Sequence, residues 1–366
     1  MSKKFNSSRN TILELLRFVF ASYVIFFHLD KDVLGPDSVI VSLWKADITF
    51  FRNGFIGVEF FFILTGLFMA EKVYKLNELE GPKKIGEETI DYIFRKAKAV
   101  WPVFAVVAVI KVVLHILGGG STEWIIVNFP SLFFLQRTGL CPRSYVYESW
   151  YISSMLIALS VLYPLCRKNY QLFTDLIAPV IGIMFCGILI SQFGNLGTLH
   201  THKLFYIYAS NYRAASDIAL GAFCFGLIRK INDRNWNRRV LISIELLCFI
   251  AITFLAVEFK GRNACGLLVL LIFIMVMIEY SRYGLSDNVP KKTGAVFTYL
   301  GRISLPMYLV QSVFRKIRPY VFDSFRYRTQ IIVLFICIVL SAMLLDIIFN
   351  RFSALYKNKR VTNENV

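Results

Sequence analysis

Apolar residues run through this chain in long, nearly unbroken blocks, without the alternation of a half-buried strand or the one-sided stripe of a soluble helix. Ten blocks, at 11–29, 54–71, 99–117, 149–166, 174–193, 212–228, 240–257, 264–280, 295–314 and 330–349, approach the length that crosses a bilayer as a helix, about 20 residues. The sixth and ninth are the least apolar. Little sequence is left between them, which predicts an all-α, polytopic membrane bundle of about ten transmembrane helices. A single domain is expected over 1–350, with a short basic and polar tail at 351–366.

Composition agrees with this reading. Of 366 residues 56% are hydrophobic and 34 are Phe, and the mean hydropathy is +0.57, whereas a soluble domain has roughly 45–50% apolar residues. The net charge of +17 is not read as nucleic-acid binding, because cations in membrane proteins collect in cytoplasmic loops. With the N-terminus taken as cytoplasmic, the inner segments hold 24 Lys and Arg and the outer ones 13. Both termini are therefore expected inside. The exception is the fifth outer loop, "RKIRPYVFDSFRYR", which is itself basic. Glu14 and Arg17 in the first block argue against a cleaved signal peptide. The seven cysteines form no C-x-x-C pair, so no disulfide framework or zinc site is expected.

An ionisable residue inside a span is costly enough to be read first as functional. In "LRFVFASYVIFFH", Arg17 and His28 are eleven residues apart, which on a helix puts them about 20° apart in azimuth and about 16 Å apart along the axis. Glu14 lies on the same side. The alternative is an i,i+3 pair of Glu14 with Arg17, His28 being an ordinary interfacial residue. In the second span Glu59 is expected about one turn below the outer surface, at the depth of His28, where it could orient the imidazole as a general base. Otherwise Glu59 partners an arginine elsewhere, such as Arg213. Gly54, Gly57 and Gly66 would let another helix approach closely.

Further polar positions have two readings each. Trp150, Tyr151 and Ser153 open the fourth span, as substrate contacts or as part of an interfacial aromatic belt. Arg213 and Asp217, at i,i+4, could neutralise one another or touch substrate. Pro306 is expected to disrupt the ninth span, with Ser304, Tyr308 and Gln311 lining its middle and outer parts. At the inner mouth of the third span, "DYIFRKAKAVWP" carries Arg95, Lys96 and Lys98. Positive-inside topology accounts for them; the sharper reading is a phosphate site in which Arg95 and Lys98 form one cationic face.

Together these residues resemble the membrane-bound acyltransferase family 3. The likeness rests on Arg-x10-His in the first span, G-V-E-F-F-F-I-L-T-G (Gly57 to Gly66) in the second and a basic R-x-x-K before the third. The later W-Y-I-S, "YPL", "YRAASDIALGAF" and "ISLPMYLVQ" stretches follow in order, so it covers essentially the whole chain. It implies transfer of an acyl group, usually acetyl, from cytoplasmic acyl-CoA to a hydroxyl of a cell-surface or lipid-linked glycan at the outer face. It also implies His28, Glu59 and Arg17 as catalytic residues, with Arg17 lining the donor path and Arg95 and Lys98 receiving the CoA phosphates. Trp150, Tyr151, Ser153, Arg213, Tyr308 and Gln311 would meet the acceptor. The expected partners are acetyl-CoA as donor, a glycan or lipid-linked oligosaccharide, and membrane lipid, with no metal and no nucleic acid. A bacterial cytoplasmic membrane is the expected location. Three positions depart from the family pattern: Lys98 stands where Arg is usual, Gln311 where His is frequent, and Met155 and Leu156 where some members carry Glu. His115 lies outside it, and the hydrolase-like domain fused to some relatives is not expected here. Two other classes compete, a flippase of polyprenyl-linked sugars and a non-catalytic subunit of an envelope-assembly complex. The first has no reason to combine inner phosphate-binding cations with an outer His and Glu, and the second, which could keep the fold with a decayed site, is opposed by the presence of His28, Glu59 and Arg17 together.

Overall fold

The computed structural model describes residues 10–34, 41–43, 46–48, 53–81, 84–197, 199, 201–258, 264–322 and 325–363. Among these, ten helices have sixteen residues or more, one for each apolar block: α1 (Thr11–Leu34), α2 (Gly57–Leu79), α3 (Ile85–Leu117), α4 (Trp150–Lys168), α5 (Ala178–Phe193), α6 (Ala209–Asn232), α7 (Arg238–Glu258), α8 (Ala264–Tyr280), α9 (Lys291–Val321) and α10 (Tyr327–Asn363). Seven of them, α1 to α4, α5 together with the helical turns that lead into it from Tyr170, α7 and α10, are long and apolar enough to cross a membrane. Helix α8 is apolar but shorter, and α6 and α9 carry more polar residues. Strand is confined to two short antiparallel hairpins, Val41–Leu43 with Ala46–Ile48 and Lys203–Leu204 with Ile207–Tyr208. The basic residues at 1–9 and 259–263 that entered the topology reading lie outside the described residues.

Helix α2 is the centre of the bundle. Its most apolar stretch is 83% buried, against 17% in α3 and α10, which turn most of their surface outward. Burial on all sides follows from a helix that is apolar all round, with Phe60, Phe62, Ile63 and Leu67 fully enclosed. The glycines of α2 and of the helical turn that leads into it at Gly54 set its neighbours, as expected from the sequence. A side chain at Gly54 or Gly57 would run into the α1 backbone at Tyr23 or Phe20, and one at Gly66 into the carbonyl of Ile218 on α6. Gly221 returns the last contact, since a Cβ there would meet the carbonyl of Ile63. With little hydrophobic drive between helices in lipid, such backbone approach is a main source of association.

Polar clamps close both ends. At the end that carries the start of α3, Arg167 of α4 is 2% exposed and grips Glu88 at 2.6 and 3.3 Å, while also donating to Asn77 and to the carbonyl of Glu80 at 3.2 Å. At the His28 end, Arg315 of α9 pairs with Asp32 at the tip of α1, and with Glu148 at 2.7 Å.

Three expectations are corrected. The segment between α3 and α4, read as an outer loop at 118–148, folds back into the bundle. Trp124 stacks on His115 near the end of α3, but Leu132 accepts from Trp101 Nε1 at 3.2 Å and Phe134 packs on Phe104. Trp101 is sixteen residues before Leu117, a descent of about 24 Å along the helix. Irregular backbone at such depth persists only where protein or an internal cavity surrounds it, and Asn128, Ser131, Gln136, Glu148 and Ser149 are all buried. The second correction concerns Pro306, which does not interrupt α9; the helix is continuous through it. Third, much of the fifth outer loop is the last two turns of α9. Its Arg315 is a clamp, Lys316, Arg318 and Tyr320 are helical, and the side chain of Tyr327 lies outside the described residues.

The glycine contacts give a direct test. Gly66→Ala and Gly221→Ala should each lower Tm in nanodiscs, by an overpacking cost of about 1–3 kcal/mol or more. Gly187→Ala, where a Cβ meets nothing, should leave Tm unchanged.

Candidate active site

Polar groups inside the bundle fall at three levels. Midway, Glu59 and Arg213 form an ion pair that is 0% and 2% exposed at the side chain. Arg213 Nε donates to Glu59 Oε1 at 2.6 Å and its Nη2 donates to the Phe55 carbonyl at 3.3 Å, while the guanidinium lies 5.6 Å from the Trp150 ring centre. The structural alternative for Glu59 is therefore the arrangement found. Asp217 is buried beside the pair, with Oδ2 lacking a hydrogen-bond partner, as does Glu59 Oε2. Arg213 bonds the acid of another helix, not the one four residues along its own.

The expected common depth of Glu59 and His28 is not found. Gly57 lies against Phe20, and the Phe60 ring stacks on that of Phe20 at 4.2 Å. Glu59 is thus level with Phe20, and His28 stands eight residues further along α1, about 12 Å away. The miss arose from assuming that α1 and α2 reach the outer rim together; α1 overshoots, running to Leu34.

The His28 level instead collects residues of α1, α9 and the re-entrant segment. The Asp32–Arg315 pair fixes the register of α1 on α9, and His28 and Gln311 are each four residues, one turn, before their clamp residue. Gln311 is 0% exposed and donates through Nε2 to the Tyr308 carbonyl at 2.9 Å, but its Oε1 has no partner. Tyr308 donates to the Glu148 carbonyl at 2.8 Å, and its ring lies 6.0 Å from that of Tyr151. Tyr151 also stacks on Phe62 at 4.5 Å, and Trp150 is 5% exposed, so neither belongs to an interfacial belt. Ser153 is wholly buried and accepts from the Arg137 backbone N–H at 3.1 Å. Ser304 spends its hydroxyl on the Gly301 carbonyl of its own helix.

The third level is cationic. Arg17 pairs with Glu14 at 3.1 Å yet keeps a third of its side-chain exposure, although it is within electrostatic reach of Tyr151 on α4 and Lys96 on α3. Lys98 is exposed on α3, as is Arg95. Lys96 turns inward, 5.6 Å from the Tyr92 ring centre, and Lys72 of α2 approaches the same ring at 4.6 Å. Neither lysine is in a salt bridge among the described residues, and each is in electrostatic reach of other cations: Lys96 of Lys72 and Arg17, Lys72 of Arg95, with Asp91 and Glu88 also in reach of Lys72. Lys72 was missed by sequence reasoning because it is one cation among many near the helix ends of the 72–98 segment. No group of three metal-binding side chains converges among the described residues.

A family model described as an acyltransferase domain matches residues 10–351. The chain belongs to this acyltransferase family. No curated relative and no solved structure matches it. The family and the seven apolar helices make it an integral membrane acyltransferase. The match takes in all three polar levels.

In this acyltransferase the mid-level pair should behave as a buried ion pair. Glu59→Ala should destabilise by about 3–5 kcal/mol, because it strands a buried guanidinium, and Glu59→Leu with Arg213→Met should recover most of the loss. Urea or thermal denaturation in nanodiscs reads the difference.

Proposed function

We propose that this membrane acyltransferase moves an acyl group, acetyl in the first instance, from cytoplasmic acyl-CoA to a hydroxyl of a cell-surface or lipid-linked glycan, within a bacterial cytoplasmic membrane. The observation that carries the reading is the succession of polar groups through an otherwise apolar bundle. Cations in no salt bridge among the described residues stand at one end, Arg17 and Tyr151 lie between, and His28 with Tyr308 and Gln311 stands at the other. Phosphates suit the first group, since crowded Lys and Arg whose charges are not met by close ion pairs are stabilised by a bound anion. The exposure that Arg17 retains on α1 leaves its guanidinium free to line the path of an extended pantetheine arm.

His28 is the group best suited to take the acceptor proton. The hydroxyl oxygen then forms the ester bond at the thioester carbonyl, the C–S bond breaks, and the thiolate is reprotonated by the imidazolium. Glu59 acts differently from a His-orienting acid: it holds Arg213, which in turn supports Trp150. Arg95 and Lys98 remain donor contacts in this reading, joined by Lys72 and Lys96.

Binding of acetyl-CoA to the purified protein in nanodiscs tests the donor half. Saturable binding in the wild type is expected, weakened at least ten-fold in Lys72→Ala/Lys96→Ala and less in Arg95→Ala/Lys98→Ala. His28→Ala should keep donor binding and abolish acetyl transfer into the glycans of expressing cells. Folded wild-type protein that binds no acetyl-CoA would favour the flippase or scaffold readings.

A further inference from the structure

One cation near the His28 end is in no salt bridge among the described residues. Arg137 sits in the re-entrant segment, and its main chain is fixed from two sides: the N–H donates to Ser153 Oγ at 3.1 Å and the carbonyl accepts from Asn211 Nδ2 at 3.0 Å. Asn211 is itself held by Ser154, at 2.9 Å. The guanidinium lies 4.9 Å from the Tyr208 ring centre, with Tyr147 and Tyr308 in electrostatic reach. Among the described residues no carboxylate forms a salt bridge with it, and its Nε is buried without a hydrogen-bond partner. Of the acids in this half of the bundle, Asp32 and Glu148 are engaged with Arg315 and Glu59 with Arg213, while Asp30 is buried with Oδ2 unpartnered and is not among the groups in electrostatic reach of Arg137.

Any residue could supply the two main-chain bonds that anchor position 137. The arginine side chain serves neither, while its desolvation and its unmet donor are costs that a purely structural residue would not carry. Two acceptors nearby are equally unmet. Gln311 Oε1 and Glu148 Oε2 are buried without partners, and both residues are hydrogen-bonded to Tyr308. A forked donor held against Tyr208 and two bare acceptors at Tyr308 complement a ligand that carries a negative charge beside hydroxyl groups.

We infer that Arg137 selects the acceptor, and that the acceptor is an anionic polyol, a sugar bearing a carboxylate or phosphate, whose charge pairs with this guanidinium while its hydroxyls face Gln311 and Glu148. The inference rests on the reading of the protein as an acyltransferase with a hydroxylated acceptor. A neutral sugar would leave Arg137 desolvated and unpaired, and is discriminated against for that reason.

Paired ligands test it in nanodiscs by calorimetry: glucuronate against glucose, galacturonate against galactose, and glucose 1-phosphate against glucose. At least one acidic member should bind ten-fold or more tighter than its neutral partner, and Arg137→Gln should erase the difference while leaving acetyl-CoA binding intact. If Gln at this position prevents folding, Arg137→Lys reads the same contrast, with acidic binding reduced and neutral binding unchanged. Equal binding of acidic and neutral partners, binding of none, or a preference that survives Arg137→Gln would overturn the inference. Acid preference in a protein that binds no acetyl-CoA would uphold the Arg137 site and remove the donor reading instead.

Discussion

Helices α2 and α6 cross with their backbones nearly touching at Gly66 and Gly221, and much of the interior depends on that approach. Seven residues before Gly66 on α2 stands Glu59, and eight before Gly221 on α6 stands Arg213, so the crossing brings acid and base together at full burial. A buried pair of this kind adds little net stability, but either charge left alone would be prohibitive. The pair therefore acts as a register lock. Only one relative position of the two helices satisfies it, and that position also sets Arg213 against the Trp150 ring at the start of α4.

The re-entrant segment is the second constraint. A chain that turns back about 20 Å into an apolar bundle must satisfy its backbone inside protein, and it does so with short polar side chains. Asn128 caps the carbonyl of Trp124 and receives the N–H of Arg143, and Gln136 bonds both the carbonyl and hydroxyl of Ser149. The outcome is a rigid wall of main chain and small polar groups facing α4, α6 and α9. Rigid placement of donors and acceptors is what acyl transfer requires, since the gain comes from groups already aimed at the reacting atoms.

The two ends of the bundle differ in chemistry, as a reaction between partners from opposite sides would require. One end gathers cations over a tyrosine face, and the other gathers an imidazole, a tyrosine and an amide under an arginine clamp. Arg315 does for α1, α9 and the re-entrant segment what Arg167 does for α2, α3 and α4. In both cases one planar guanidinium spans groups that no single lysine could reach together.

Much of this was legible in the sequence. Unbroken apolar blocks of bilayer length determined the ten helices, because helices satisfy their own backbone in lipid, and the glycines of α2 marked close approach because only a missing Cβ permits it. Both possible partners of Glu59 could be named, and His28, Arg17, Tyr308 and Gln311 could be singled out as polar residues in apolar surroundings. Tertiary structure alone decided who meets whom. The offset of α1 against α2 moved His28 a dozen ångströms from Glu59, and the fold-back after α3 turned an outer loop into an interior wall. It also left Arg137, an ordinary loop arginine in the sequence, half-buried and in no salt bridge among the described residues. Periodicity fixes which face of a helix a residue occupies, whereas depth and partnership depend on how far each helix slides along its neighbours, and contacts between distant parts of the chain set that.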